Sequence, residues 1–193
     1  MNSFQMRAEA RRLMNTQMGM LILVLFVYGI MMSFANSVVV IGTLLLSGPL
    51  SLGLAKVLLK VLDEEKIGIE MLFSGFEDFS RSFVAGLLIS LYVFLWSLLL
   101  IIPGIIAAFS YSMTFYIMEE NPQFSAQEAM EASKRMMYGH KWRLFDLWFS
   151  FIGWFILCLL SFGIALIYVT PYFSTALTVF YADLKQLQSS PLS

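Results

Sequence analysis

The chain has 193 residues, of which 59% are hydrophobic and only 13% charged, with a mean hydropathy of +0.78. Soluble domains carry about a quarter charged residues, so that class is excluded, and the length leaves no room for a separate soluble catalytic domain. A formal net charge of −1, from 12 basic and 13 acidic residues with no long basic run, excludes an electrostatic nucleic-acid binder.

Residues 3–15 mix Arg7, Arg11 and Arg12 with Phe4, Met6, Leu13 and Met14, which predicts a short amphipathic helix at the inner membrane surface. Residues 1–17 are thus a cytoplasmic amphipathic segment, residues 18–184 carry six apolar spans, and residues 185–193 form a cytoplasmic tail. Span 1 (18–34) is long for the apolar part of a signal peptide and further spans follow, so it is expected to stay uncleaved. Asn36 and Ser37 turn the chain into span 2 (38–62), with a break expected at Gly48-Pro49. Residues 63–82, including Leu72-Phe73-Ser74-Gly75-Phe76, are expected in the interface. The apolar run 83–118 is too long for one crossing of ~20 residues, and Pro103-Gly104 divides it into spans 3 (83–102) and 4 (105–118). In the polar segment after Asn121-Pro122, Ser125 and Glu128 fit a capping box. The helix that follows gathers Ala129, Met130, Ser133, Met136 and Met137 on one face, and Gly139 can end it. That face suits the inner leaflet or the cytoplasmic surface of the bundle. Span 5 covers 144–162, and span 6 covers 164–184 with Pro171 breaking or kinking it.

All 12 Lys and Arg residues fall before span 1, around alternate gaps, or after span 6, whereas the gaps near Asn36, Pro103 and Gly163 are uncharged. Cytoplasmic loops collect Lys and Arg, so a multi-pass protein of the cytoplasmic membrane with both termini inside is predicted. The fold class is all-α: a polytopic six-helix transmembrane bundle with cytoplasmic amphipathic helices, laid out as three hairpins. Each even span also carries small residues four apart: Ser47, Ser51 and Ala55; Gly104, Ala108 and Ser112; Ser174, Thr178 and Ala182. Such trios let helices approach closely, which predicts an inner contact of the even spans.

Chemistry is sparse. No ionisable residue reaches mid-membrane depth; Lys56 and Asp146 come nearest, the latter expected to pair with Lys141 or Arg143. Cys158 is alone, so neither an intramolecular disulfide nor a cysteine metal cluster can form. His140 is the single histidine, Glu119, Glu120, Glu128 and Glu131 read as solvated acids, and no nucleophile-elbow or phosphate-loop pattern is present. No catalytic residue, metal or cofactor is expected. Lys134, Arg135, His140, Lys141 and Arg143, beside Trp142, are the lipid-headgroup candidates, because juxtamembrane cations attract anionic lipid. The leading expectation is a non-enzymatic membrane protein that binds anionic lipid or a protein partner at the cytoplasmic face, in envelope maintenance. The alternative is a small-solute or lipid transporter with a cavity lined by Ser112, Thr114, Ser174 and Thr178. Oligomeric state is left open.

Several segments carry a resemblance: Gly48-Pro49-Leu50-Ser51-Leu52-Gly53, Leu72-Phe73-Ser74-Gly75-Phe76, Ile102-Pro103-Gly104-Ile105, Tyr111-Ser112-Met113, residues 133–142, Phe149-Ser150-Phe151-Ile152-Gly153-Trp154 and Pro171-Tyr172. Together they resemble a bacterial integral membrane family catalogued as domain of unknown function 975, found mainly in Gram-positive bacteria. More distantly, the chain is similar to the membrane domain of some glycerophosphodiester phosphodiesterases. The resemblance implies the helical membrane topology and a lipid context. It supplies no catalytic residues, since those phosphodiesterases hold their catalysis in a separate barrel.

Overall fold

The computed structural model describes residues 2–37, 40–99, 101–161, 163 and 165–189, and these are helical with short connections. The helices are α1 (Ser3–Thr16), α2 (Met18–Ser37), α3 (Val40–Leu62), α4 (Glu70–Phe73), α5 (Phe79–Leu99), α6 (Ile101–Tyr111), α7 (Thr114–Glu120), α8 (Ala126–Met136), α9 (Lys141–Ser150), α10 (Ile152–Leu160) and α11 (Leu166–Ser189), with a 3-10 turn at Ser74–Phe76. Among the described residues, three stretches are long and apolar enough to cross a membrane: Leu45–Leu62, Phe79–Leu98 and Lys141–Leu160. Counting the pair Ser3–Met14 and Met18–Met32, bent by 99°, as one broken span brings the number to four. The protein is therefore an all-helical chain with membrane-spanning character, and its other apolar segments are shorter or more polar. Thus α6 has 11 residues, about half of a 30 Å hydrocarbon core at 1.5 Å per residue.

Helices adjacent in the chain pack on one another in three places, and α3 with α5 and α1 with α11 add further contacts. In the first, α2 packs on α3, and the Gln17 side chain accepts from the Ile67 N–H at 2.8 Å. In the second, α5 packs on α6, with the Tyr92 and Tyr111 rings 6.0 Å apart. In the third, α9 and α10 return on α11, with Trp154 against Tyr168 at 5.8 Å and Phe151 against Tyr172 at 4.9 Å. Large apolar side chains, among them Phe94, Leu98, Ile102, Phe149, Leu159 and Ile167, stay exposed along the pairs. A soluble protein rarely leaves so large an apolar surface uncovered.

Several local expectations are corrected. Pro49 lies inside a continuous α3, so the chain does not break there. Membrane helices tolerate such prolines because neighbouring groups satisfy the freed backbone. The expected turn at Asn36-Ser37 is still helix, and residues 38–39 lie outside those described. Pro103 does not end span 3 but sits in the first turn of α6, where a missing N–H removes no helix bond. Gly104 next to it packs on Ser97: a Cβ there would lie 2.9 Å from the Ser97 Cα. Span 4 divides at Ser112-Met113 into α6 and α7.

The amphipathic stripe of α1 is covered by protein. Met6, Ala10, Leu13 and Met14 are buried, and the helix runs antiparallel to α11. Its N-terminal end lies beside Trp142 and Asp146, while Arg11 sits over the Tyr172 ring at 5.6 Å. Arg7 donates to the Ser150 carbonyl at 2.9 Å.

The first two motifs of the resemblance now have a physical basis. A Cβ on Gly53 would overlap the Leu72 carbonyl, and one on Gly75 would overlap that of Pro49. A Cβ on Gly48 would overlap the Ser82 carbonyl, and Gly86 approaches Gly48 so closely that its Cβ would lie 2.8 Å from the Gly48 Cα. The segment Glu70–Phe76 and the start of α5 thus lie backbone-to-backbone on α3. Buried Ser82 closes the corner by donating to carbonyls of the preceding turn, with Gly75 O at 3.1 Å.

Candidate functional site

Residues from separate charged gaps of the sequence meet in the structure. Arg12 meets Glu64 at 2.9 Å, Lys56 meets Glu119 at 3.7 Å, Lys185 meets Glu120 at 2.7 Å, and Arg143 pairs with Asp183. These links tie α1, α3, α7, α9 and α11 into one polar end.

At its centre is the end of α7. Glu119 and Glu120 close that helix, where the backbone dipole already favours cations over carboxylates. Three helices answer with positive charge. From α3 comes Lys56, and from α11 comes Lys185. From α5 comes Arg81, which donates to the carbonyls of Asn121, Phe124 and Met118 at 3.2, 3.1 and 3.4 Å and to that of Pro122. Burial holds the Glu119 carboxyl above its ordinary pKa although Lys56 and Arg81 pull it down. Glu120 also accepts from the Tyr181 hydroxyl at 2.8 Å. The Tyr181 ring stacks on Tyr116 at 5.2 Å, and the Tyr116 hydroxyl lies 3.3 Å from Thr178 Oγ1. The expectation of a solvated acid is therefore corrected for Glu119, which is half-buried, while Glu120 is exposed but paired.

Next to this end lies α8, opened by the expected capping box: Ser125 accepts from the Glu128 N–H at 3.3 Å and Glu128 accepts from the Ser125 N–H at 2.7 Å. These bonds, first that to the Ser125 backbone, hold the Glu128 carboxyl below its ordinary pKa. Ala129, Met130, Ser133, Met136 and Met137 are all buried, so the methionine face belongs to the bundle surface and not to the leaflet. Ser133 has a specific task. Its hydroxyl donates to the Ser110 carbonyl at 2.8 Å and accepts from the Met113 N–H at 3.2 Å, satisfying the backbone freed where α6 gives way to α7. Replacing Ser133 with Ala is expected to cost about 2 kcal/mol, because both buried backbone groups lose their partner. Thermal unfolding in detergent checks this, and an unchanged midpoint would remove Ser133 from the junction.

The headgroup candidates divide into two sets. Lys134 and Arg135 are exposed, Lys141 and His140 partly so, and two aromatics beside them stand far out: Tyr138 is 83% exposed and Trp142 78%. Arg143 is different. It pairs with Asp183, lies 5.7 Å over the Phe180 ring, and belongs to the interior of the polar end. Asp146, expected to pair nearby, is instead exposed.

The small-residue trios scatter. Ala55 is buried and Ser47 and Ser51 are half-buried on α3. Gly104 is buried, Ala108 is exposed and Ser112 is half-buried, while Thr178 is buried between half-buried Ser174 and Ala182. The close backbone approaches described above fall on Gly104 of these trios and on glycines 48, 53, 75 and 86 outside them.

A cleft of about 430 Å³ opens between α7, α8 and α11, lined by Glu120, Asn121, Arg135 and Lys185 over Ile117, Phe124 and Met136. The sequence signal for this site was available in Glu119-Glu120: two acids closing a helix need cations from elsewhere in the fold.

No curated protein and no solved structure matches the chain. Residues 97–188, from the last turn of α5 to the last turn of α11, match the family described as Protein of unknown function (DUF975), a likeness that covers α8 and both walls of the cleft.

Proposed function

We propose that this is a non-enzymatic membrane protein that binds anionic lipid at its cytoplasmic face through residues 134–142, in envelope maintenance. The observation that carries the reading is the exposed group Lys134, Arg135, Tyr138 and Trp142, with Lys141 partly exposed beside it. Cations attract anionic headgroups, and protruding Tyr and Trp side chains favour the same depth. The meeting of residues from separate charged gaps supports a layout with both termini on the cytoplasmic side and the uncharged reversals outside. On this reading the six apolar segments cross or dip into the bilayer as three hairpins. A partner protein at the same face remains compatible with the patch.

The transporter reading draws no support from its expected lining. Thr114 and Thr178 are fully buried, and their hydroxyls donate to the Tyr111 and Ser174 carbonyls at 2.8 and 2.9 Å.

The test replaces Lys134, Arg135 and Lys141 together by Gln and leaves Arg143 in place for its pair with Asp183. At about 1 kcal/mol per cation, retention of phosphatidylglycerol and cardiolipin should fall roughly a hundredfold. Native mass spectrometry of the purified protein reads this directly, and unchanged anionic lipid would end the proposal.

A further inference from the structure

The cleft between α7, α8 and α11 has chemistry that the surface cations lack. Both hydrogen bonds to Glu120, from Tyr181 and from Lys185, reach Oε2. Among the described residues Oε1 accepts none, although the side chain is only 27% exposed. Arg135 lines the same cleft from α8, and its one ion pair, to Glu131, is long at 3.9 Å and exposed on both sides. Lys185 gives one of its three N–H bonds to Glu120. The site therefore presents an unused carboxylate oxygen on one wall and under-used cations on the others. Glu120 offers an oxygen to a cation while Arg135 and Lys185 offer donors to an anion, so a ligand that carries both charges uses more of the site than an anion alone. Ile117, Phe124 and Met136 supply an apolar floor.

Resting on the reading that this end lies at headgroup level, we propose that the cleft binds the zwitterionic headgroup of an aminophospholipid. The ammonium donates to Glu120 Oε1, the phosphate lies against Arg135 and Lys185, and the glycerol end rests on the apolar floor. Glu119 does not compete for the ammonium, because Lys56 already faces it. The recognition requires N–H donors, so a trimethylammonium headgroup of equal charge is excluded from the Glu120 bond.

The test reconstitutes the full chain in nanodiscs of phosphatidylethanolamine, phosphatidylcholine and phosphatidylglycerol and identifies retained lipid by native mass spectrometry. The wild type should retain phosphatidylethanolamine about tenfold over phosphatidylcholine, as loss of one charge-assisted bond implies. Glu120→Gln should erase that preference while its amide oxygen still accepts from Tyr181. Arg135→Gln, at an exposed position that leaves folding untouched, should reduce retention of phosphatidylethanolamine as well. Soluble phosphoethanolamine should bind at least tenfold more weakly than the lipid, since nothing then covers the apolar floor. Equal retention of the two zwitterionic lipids, or an undiminished preference in both variants, overturns the cleft. Equal binding of soluble phosphoethanolamine overturns the lipid as its occupant. Arg135 belongs to both sites, but Glu120 lies outside the 134–142 patch and the readout there is anionic lipid, so Glu120→Gln lets each proposal fail alone.

Discussion

Gly53→Ala should be among the most damaging single-methyl substitutions in this protein, costing about 3 kcal/mol. The added carbon would overlap the Leu72 carbonyl oxygen and lie 2.6 Å from its carbon. Neither side can yield easily: Gly53 lies in the middle of α3, and Leu72 is fully buried in the short helix that packs on it. Overpacking a core typically costs 1–3 kcal/mol when side chains can adjust, and here the obstacle is backbone. Gly75→Ala should behave alike from the other wall, since its Cβ would overlap the Pro49 carbonyl and lie 2.9 Å from the Gly53 nitrogen. Gly29→Ala and Gly153→Ala are the controls, because a Cβ at either meets no atom within 4 Å. In helices, those changes should be neutral or stabilising by up to about 1 kcal/mol. Unfolding of all four variants in one detergent decides the matter. Gly53→Ala as stable as Gly29→Ala would mean that α4 does not lie on α3 in this way.

The sequence carried the all-helical, apolar character of the chain because hydropathy is a global property of a segment. Residues from separate charged gaps, Arg12 with Glu64, Lys56 with Glu119 and Lys185 with Glu120, meet in the structure. The capping box of Ser125 and Glu128 was legible for the opposite reason: all its atoms lie within four residues. Prolines misled in both directions. Pro49 was read as a break although neighbouring backbone supports it, and Pro103 was read as a stop although a helix's first turn accepts it. Both errors come from judging a proline without its tertiary surroundings. The α1 stripe was read correctly as amphipathic, but a sequence cannot say whether lipid or α11 covers it. Of the small residues four apart, Gly104 makes a close approach, to Ser97, and further close approaches fall on glycines of different elements that meet only in the fold.

The candidate cleft was less legible still, because its walls come from residues 117–124, 132–136 and 181–188. What local sequence did show was an anomaly: Glu119-Glu120 at a helix end that prefers positive charge. Arg81, Lys56 and Lys185 resolve it from three helices, and this long-range compensation holds the polar end together.

Arg81→Gln should therefore destabilise the fold by on the order of 3 kcal/mol, well beyond a surface ion-pair change. The Arg81 side chain is 16% exposed and meets one carbonyl in the last turn of α7 and three after it, besides Asp78 at 2.9 Å. Gln offers two donors and a shorter reach, so most of those carbonyls lose their partner and two carboxylates lose a neutralising charge. Arg81→Lys keeps the charge without the fork and should fall between wild type and Gln. The electrostatic share can be separated. Adding Glu119→Gln to Arg81→Gln removes one carboxylate from the helix end, and because burial already disfavours the charged form of Glu119, the double variant should regain part of the loss. Hydrogen exchange supplies the local readout: amides of residues 118–124 should lose protection in Arg81→Gln more than those of α8. Stability and exchange equal to wild type would show that the carbonyls after α7 do not depend on Arg81, and with that the compensation argued for the polar end would lose its main support.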